Sequence, residues 1–149
     1  MAETWVKTLG RVAFINCDPL YHQLSDEWNI LSAPPSWLTG HVLRRDCILA
    51  PIPAADYAKH ADELVLLPEI GIGSQGEVGS VLLFGAVPLE AMNTIALPSD
   101  SATSVALLKH LISKKGRAME YISTGPDYES MMAIAVSYTH LRAHETHRY

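Results

Sequence analysis

Residues 47–60 read CILAPIPAADYAKH, and this stretch decides the fold class. Its first half, Cys47 to Ile52, is nearly continuous apolar sequence. Such a run suits a strand buried on both faces of a parallel sheet. Its second half, Ala54 to His60, reads as a helix. Strand followed by helix is the repeating unit of an α/β fold, and the flanking sequence repeats it. Upstream, Arg11 to Asn16 (RVAFIN) reads as a first strand, bounded by Gly10 and Asp18-Pro19, followed by a short helix from Pro19 to Leu24. Asn29 to Ala33 is a second strand candidate. Ser36 can cap a helix from Trp37 to Arg45, with Trp37, Leu38 and Val42 on its inner face.

Downstream, Leu64 to Leu67 and Ser80 to Phe84 read as strands joined by the turn-rich GIGSQGEVG. Val87 to Met92 suits a short helix or turn, and Thr94 to Leu97 another strand. The strongest helix signal follows. Ser101 is the N-cap candidate, and Ala102, Val105, Leu108 and Ile112 share one face at spacings of three and four. Lys109, Lys114 and Lys115 suit its negative end, and Gly116 its stop. Ala118 to Ile122 is a further strand, and Asp127 opens a further helix. There is no internal repeat.

Composition narrows the function classes. Of 149 residues, 48% are hydrophobic and 18% charged, enough apolar material for a real core and against disorder over most of the length. The formal charge of −5 disfavours general nucleic-acid binding, which favours a basic patch. The longest apolar runs fall well short of the roughly 20 residues of a spanning helix, so no membrane association is expected. MAETWVKTLG carries no apolar signal region. With only Cys17 and Cys47, 30 residues apart, reduced thiols in a cytoplasmic protein are expected.

Residues 136–149, VSYTHLRAHETHRY, match neither the helical nor the strand period. Val136 to Thr146 resembles the in-frame translation of a transposase adapter used in DNA library preparation. The expectation is a non-native read-through tail, with native sequence ending near Ala135. The spacing of His140, His144 and His147 would place three imidazoles on one helix face, but on this reading it is no metal site.

Motifs for chemistry are sparse. Gly71 to Gly76 fits G-x-G-x-x-G, yet a dinucleotide site needs a helix next, and a strand is expected instead. No G-x-S-x-G elbow occurs, and neither cysteine has a C-x-x-C partner. His22, His41, His60 and His110 read as ordinary surface or core imidazoles. Ser99, Ser101, Thr103 and Ser104 cluster at the start of the strongest helix. Backbone N–H groups there attract carboxylate or phosphate, although simple capping explains the cluster as well. Asn16 falls at the expected C-terminal end of the first strand, where open α/β sheets bind ligands; an Asx turn before Asp18-Pro19 is the alternative. Ser80 alone reads as a loop hydroxyl.

Taken together, four segments in order resemble the menaquinone-biosynthesis family of the futalosine pathway. They are RVAFINCDPLYHQL with its Asn-x-x-Pro-Leu turn, DCILAPIPAADYAKH, EVGSVLLFGAVPLEAM and IALPSDSATSVALLKHLI. The resemblance spans about residues 10 to 116. The Asn-x-x-Pro-Leu opening fits the branch that dehydrates chorismate better than the sister branch that makes 1,4-dihydroxy-6-naphthoate.

The resemblance implies an α/β, two-lobed fold like type II periplasmic binding proteins, truncated within the second lobe. The first lobe would span 1–93, the second would begin over 94–135, and the tail would follow over 136–149. It implies a chorismate-binding lyase with no cofactor and no metal. Asn16 would stand at the reacting centre, and Ser80, Ser101, Thr103 and Ser104 would bind substrate carboxylates. Pro53-Ala54 depart from relatives, which often carry hydroxyl residues there. A non-catalytic solute-binding module of the same fold is the rival of another class. Oligomeric state is left open, and the chain as it stands is expected to be inactive.

Overall fold

The computed structural model describes residues 4–76, 78–79, 81–127, 129, 131, 133 and 137–141. They form two compact units that meet in sequence between Gly73 and Ser74. Both are α/β. Each is described by itself.

The first unit opens with a 3₁₀ turn, Thr4–Lys7, and strand β1, Thr8–Val12. A second 3₁₀ turn covers Ile15–Leu20. Strand β2, Asn29–Ala33, lies parallel to β1 with Gly10 opposite Leu31. Helices α1, Pro35–Leu43, and α2, Ala54–Lys59, follow. On its other side β1 meets the 48–50 segment, through a parallel bridge between Leu9 and Leu49. The core gathers Val12, Cys17, Ala33 and Leu38, with Phe14, Tyr21, Leu31, Ala50 and Ile52 packed around them.

Four differences from the sequence reading have local causes. The first strand starts at Thr8, because Gly10 is not a boundary but the point of closest approach. A Cβ at Gly10 would stand 2.5 Å from Ala50 Cβ and 3.0 Å from Leu38 Cδ2. Cys47 to Ile52 forms a bridge rather than a long strand, because Pro51 and Pro53 have no N–H to extend a ladder. Helix α1 starts at Pro35, whose fixed φ suits the first helical position, so Ser36 lies inside it and is not its cap. Its inner face is Leu38 and Thr39, while Trp37 is 62% exposed. The Thr39 hydroxyl donates to buried Asp56 at 3.3 Å, which turns that face toward α2.

The 64–67 stretch forms no strand, and Val65 is almost fully exposed, because no neighbouring strand pairs with it among the described residues. The Gly71–Gly76 segment is an exposed loop with no helix after it.

The second unit contains strands β3, Val81–Gly85, and β4, Thr94–Pro98, with a 3₁₀ turn at Leu89–Ala91 between them. Helix α3, Thr103–Lys114, and strand β5, Glu120–Thr124, complete a parallel β–α–β unit. Strand β6, Ser137–Leu141, runs antiparallel to β3 and parallel to β4, giving the sheet order β3-β6-β4-β5. So a strand forms within the stretch expected to be read-through, and β3 joins the sheet through it. The compact unit that starts at Ser74 contains both β3 and β6.

Strand β4 supplies the core by its period of two. Ile95 and Leu97 pack with Ile112 of α3, with Val105 and Leu108 alongside, whereas Ala96 packs on Met131. Burying one such isoleucine contributes about 2 kcal/mol. Gly116, at φ +68, ends α3 in the left-handed conformation expected of a glycine stop.

Candidate active site

In both units, loops leave the C-terminal ends of parallel strands, where open α/β sheets place ligands. In the first unit, β1 continues past Val12 with the Ala13 amide on the Ala33 carbonyl at 3.0 Å. The chain then turns through Ile15–Leu20. This turn carries Asn16, and its backbone is held from three sides. Cys17, the next residue, is 2% exposed and sits in the core. The Arg11 guanidinium pairs with the Asp18 carboxylate. The Tyr21 hydroxyl donates to the Gly10 carbonyl at 2.8 Å. The Asn16 side chain lies outside what is described. Ile15 and Leu20, on the same turn, are 71% and 54% exposed.

The electrostatics make the turn inert as a nucleophile. Burial pushes the Cys17 thiol up, Arg11 opposes this and Asp18 adds to it. Burial also raises Cys47, with Asp46 adding and the Gly10 backbone opposing. Two thiols held protonated are poor nucleophiles. Tyr21 is likewise raised, first by burial and then by Cys17, so its phenol remains a donor at neutral pH.

The neighbouring bridged segment runs through Ile52-Pro53 into α2. Pro53 is the N-cap and offers no side-chain hydrogen bond. Neither Pro53 nor Ala54 brings a side-chain hydroxyl to this helix start.

In the second unit, β4 leads through residues 99–102 into α3. Ser101 does not cap this helix. The N-cap is Ala102, with φ −100° and ψ −50° and no side-chain cap bond. A capping side chain comes from a boundary residue in extended conformation, and here the boundary residue is already near helical. Thr103 is exposed, and Ser101 and Ser104 are half-buried at the same helix end. The first intrahelical bond runs from the Ala106 amide to the Ala102 carbonyl at 3.0 Å. The amides before it have no intrahelical acceptor and project along the helix axis with its positive dipole end. The Ser99 amide donates to the Thr124 carbonyl at 3.0 Å, and buried Thr124 returns its hydroxyl to the Gly125 and Leu97 carbonyls. The ends of β4 and β5 are thereby locked together beside the helix start.

Thus Asn16 belongs to the first unit, and Ser101, Thr103 and Ser104 stand together in the second. Ser80 lies outside the described residues, as do His144 and His147. His41 pairs with Asp46 at 2.8 Å and His60 with Glu63 at 3.1 Å, ordinary surface contacts. No group of three or more His, Cys, Asp or Glu could hold a metal ion among the described residues. No helix among them is long and apolar enough to cross a membrane. The sequence reading missed Tyr21 and the Arg11–Asp18 pair. The spacing of seven between Arg11 and Asp18 exceeds the three or four at which helical ion pairs form, and a tyrosine in a turn has no local signature.

Two comparisons bear on the site. The family model described as menaquinone biosynthesis matches residues 7–146. A chorismate dehydratase of Thermus thermophilus is 38% identical over 122 residues, which cover 81% of this chain and 42% of that protein. The chain therefore spans less than half the length of the curated relative it matches.

Proposed function

The chain belongs to the menaquinone-biosynthesis family, and from that premise we propose that it serves as a hydro-lyase acting on chorismate. The observation that carries the reading is the 38% identity to a chorismate dehydratase across most of this chain. Chorismate is a small dianion. Dehydration removes one ring proton and the ring hydroxyl as water, leaving an aromatic ring with its enolpyruvyl ether, 3-[(1-carboxyvinyl)oxy]benzoate. Aromatisation supplies much of the driving force, so the step is balanced with no oxidant, reductant or cofactor.

The fold proposed is the two-lobed, type II periplasmic-binding-protein-like arrangement. Asn16 would orient the reacting ring through its amide, since a neutral amide is a weak base. Ser80, Ser101, Thr103 and Ser104, with the amides at the start of α3, would hold the carboxylates. Donors fixed in advance are worth most where charge develops in the transition state.

The test is direct. The chain, completed with the missing half from a close relative, is incubated with chorismate, and the aromatic enolpyruvyl ether is followed by absorbance and mass. Turnover that Asn16→Leu abolishes without unfolding the protein supports the reading. Turnover only of the cyclic futalosine-derived substrate would assign the sister branch. Binding of chorismate without turnover would assign a solute-binding module. Thr103→Val with Ser104→Ala should weaken chorismate binding by about 1–3 kcal/mol, the scale of unmade polar contacts. Unchanged affinity would remove these hydroxyls from the site.

A further inference from the structure

The Gly10 carbonyl presents a problem that the sequence itself creates. In β1 the odd-numbered residues bond toward β2, as the Ala13 amide does with Ala33. The even-numbered residues bond toward the 48–50 segment. The Ile48 amide donates to the Thr8 carbonyl at 2.9 Å, and the Gly10 amide donates to the Leu49 carbonyl at 2.7 Å. In a parallel ladder the next bond returns from the amide two residues further along the neighbouring strand. Two residues beyond Leu49 stands Pro51, which has no N–H. The Gly10 carbonyl would then lose its ladder partner in the core, at the cost of an unpaired buried acceptor. The Tyr21 hydroxyl occupies that vacancy at 2.8 Å.

We infer that Tyr21 is a positioning residue: by replacing the donor that Pro51 lacks, it clamps the Ile15–Leu20 turn onto β1 and sets where the Asn16 backbone stands. This rests on the proposed place of Asn16 in the substrate site. The clamp joins two segments far apart in sequence. The proline of the Ala50-Pro51-Ile52 run leaves the acceptor open, and the tyrosine that follows the Asn-x-x-Pro-Leu turn fills it. A backbone amide at 51 would satisfy Gly10 equally well, but it would tie nothing to the turn. Proline at 51 with tyrosine at 21 makes satisfaction of the sheet depend on the turn being in place. The Arg11–Asp18 pair and buried Cys17 act on the same turn from its other sides.

The experiment uses Tyr21→Phe alone and with Pro51→Ala, reading amide hydrogen exchange and thermal midpoint in this chain and chorismate kinetics in the chain completed from a close relative. Tyr21→Phe should speed exchange of the amides in residues 15–20 by about tenfold or more, leaving α3 unchanged. It should lower kcat by about tenfold or more with a smaller change in KM, since slight misplacement of a reacting group is costly. Adding Pro51→Ala supplies the missing amide, so the midpoint should recover while turn exchange and kcat stay impaired. Unchanged exchange in Tyr21→Phe would overturn the inference. So would recovery of both turn protection and kcat in the double variant, which would make Tyr21 a mere carbonyl partner. If the completed chain does not turn over chorismate, the functional reading fails; the exchange of residues 15–20 still decides the clamp.

Discussion

Gly10→Ala should destabilise the first unit although alanine is the better strand former. The backbone at Gly10 lies in no left-handed region, so the added methyl meets no conformational barrier, only space. Its Cβ would lie 2.5 Å from Ala50 Cβ, 3.0 Å from Leu38 Cδ2 and 3.2 Å from Cys47 Sγ. Ordinary carbon contacts lie at about 3.5–4.0 Å, so relief needs a shift of about 1 Å. Leu38 can adjust its rotamer, but Ala50 has none and moves only with its backbone. That shift would stretch the Gly10–Leu49 and Thr8–Ile48 hydrogen bonds, now 2.7 and 2.9 Å, beyond useful length. Losing both forfeits about 1 kcal/mol each, and holding position instead leaves overpacking of about 1–3 kcal/mol. The smaller unfolded-state entropy of alanine offsets about 0.5 kcal/mol. The net expectation is a loss of about 0.5–2.5 kcal/mol, read as a lower urea midpoint at unchanged slope. Ala50→Gly in the same chain should recover about 1 kcal/mol of it through relief of the nearest contact. A Gly10→Ala variant as stable as its parent, or no coupling to position 50, would refute the packing argument.

Gly116→Ala tests the opposite kind of glycine. Nothing stands near its Cβ, but its φ is +68, so a loss of about 1 kcal/mol should come from backbone conformation alone; an unchanged urea midpoint would refute this. Asp46 is held below the usual carboxylate range, first by its His41 hydrogen bond and then by Arg44. A depressed folded value stabilises above the unfolded value of about 3.9 and is lost as pH falls through the folded one. Asp46→Asn should therefore lower the urea midpoint at pH 6, and the gap to the parent should close below about pH 4; a gap independent of pH would count against the pairing. We also propose, from its adapter-like sequence, that the 136–149 stretch is non-native read-through that supplies β6 without adding stability. Its deletion should leave the thermal midpoint unchanged, whereas a fall of several degrees would show that the β3–β6 ladder carries stability.

Sequence alone determined the features governed by near neighbours. The β2 range, the α2 start, the α3 inner face and the Gly116 stop depend on periodicity, a proline or a left-handed glycine, all visible within a few residues. The α/β class followed from the same signals, and the menaquinone-biosynthesis family from four segments in order. Tertiary structure decided what depends on residues distant in the chain. Gly10 looked like a strand boundary until Ala50, 40 positions on, showed why no side chain fits there. The CILAPI run looked like a full strand, yet a ladder needs donors as well as apolar bulk, and Pro51, with Pro53 just after the run, withholds them. Ser101 had the chemistry of a cap, but the helix boundary falls one residue later, at Ala102. Tyr21 had no local signal, because its role is to answer a carbonyl orphaned by a proline 30 residues later. Helix and turn signals are short-range and can be read along the chain; close contact and hydrogen-bond satisfaction belong to pairs that only folding brings together.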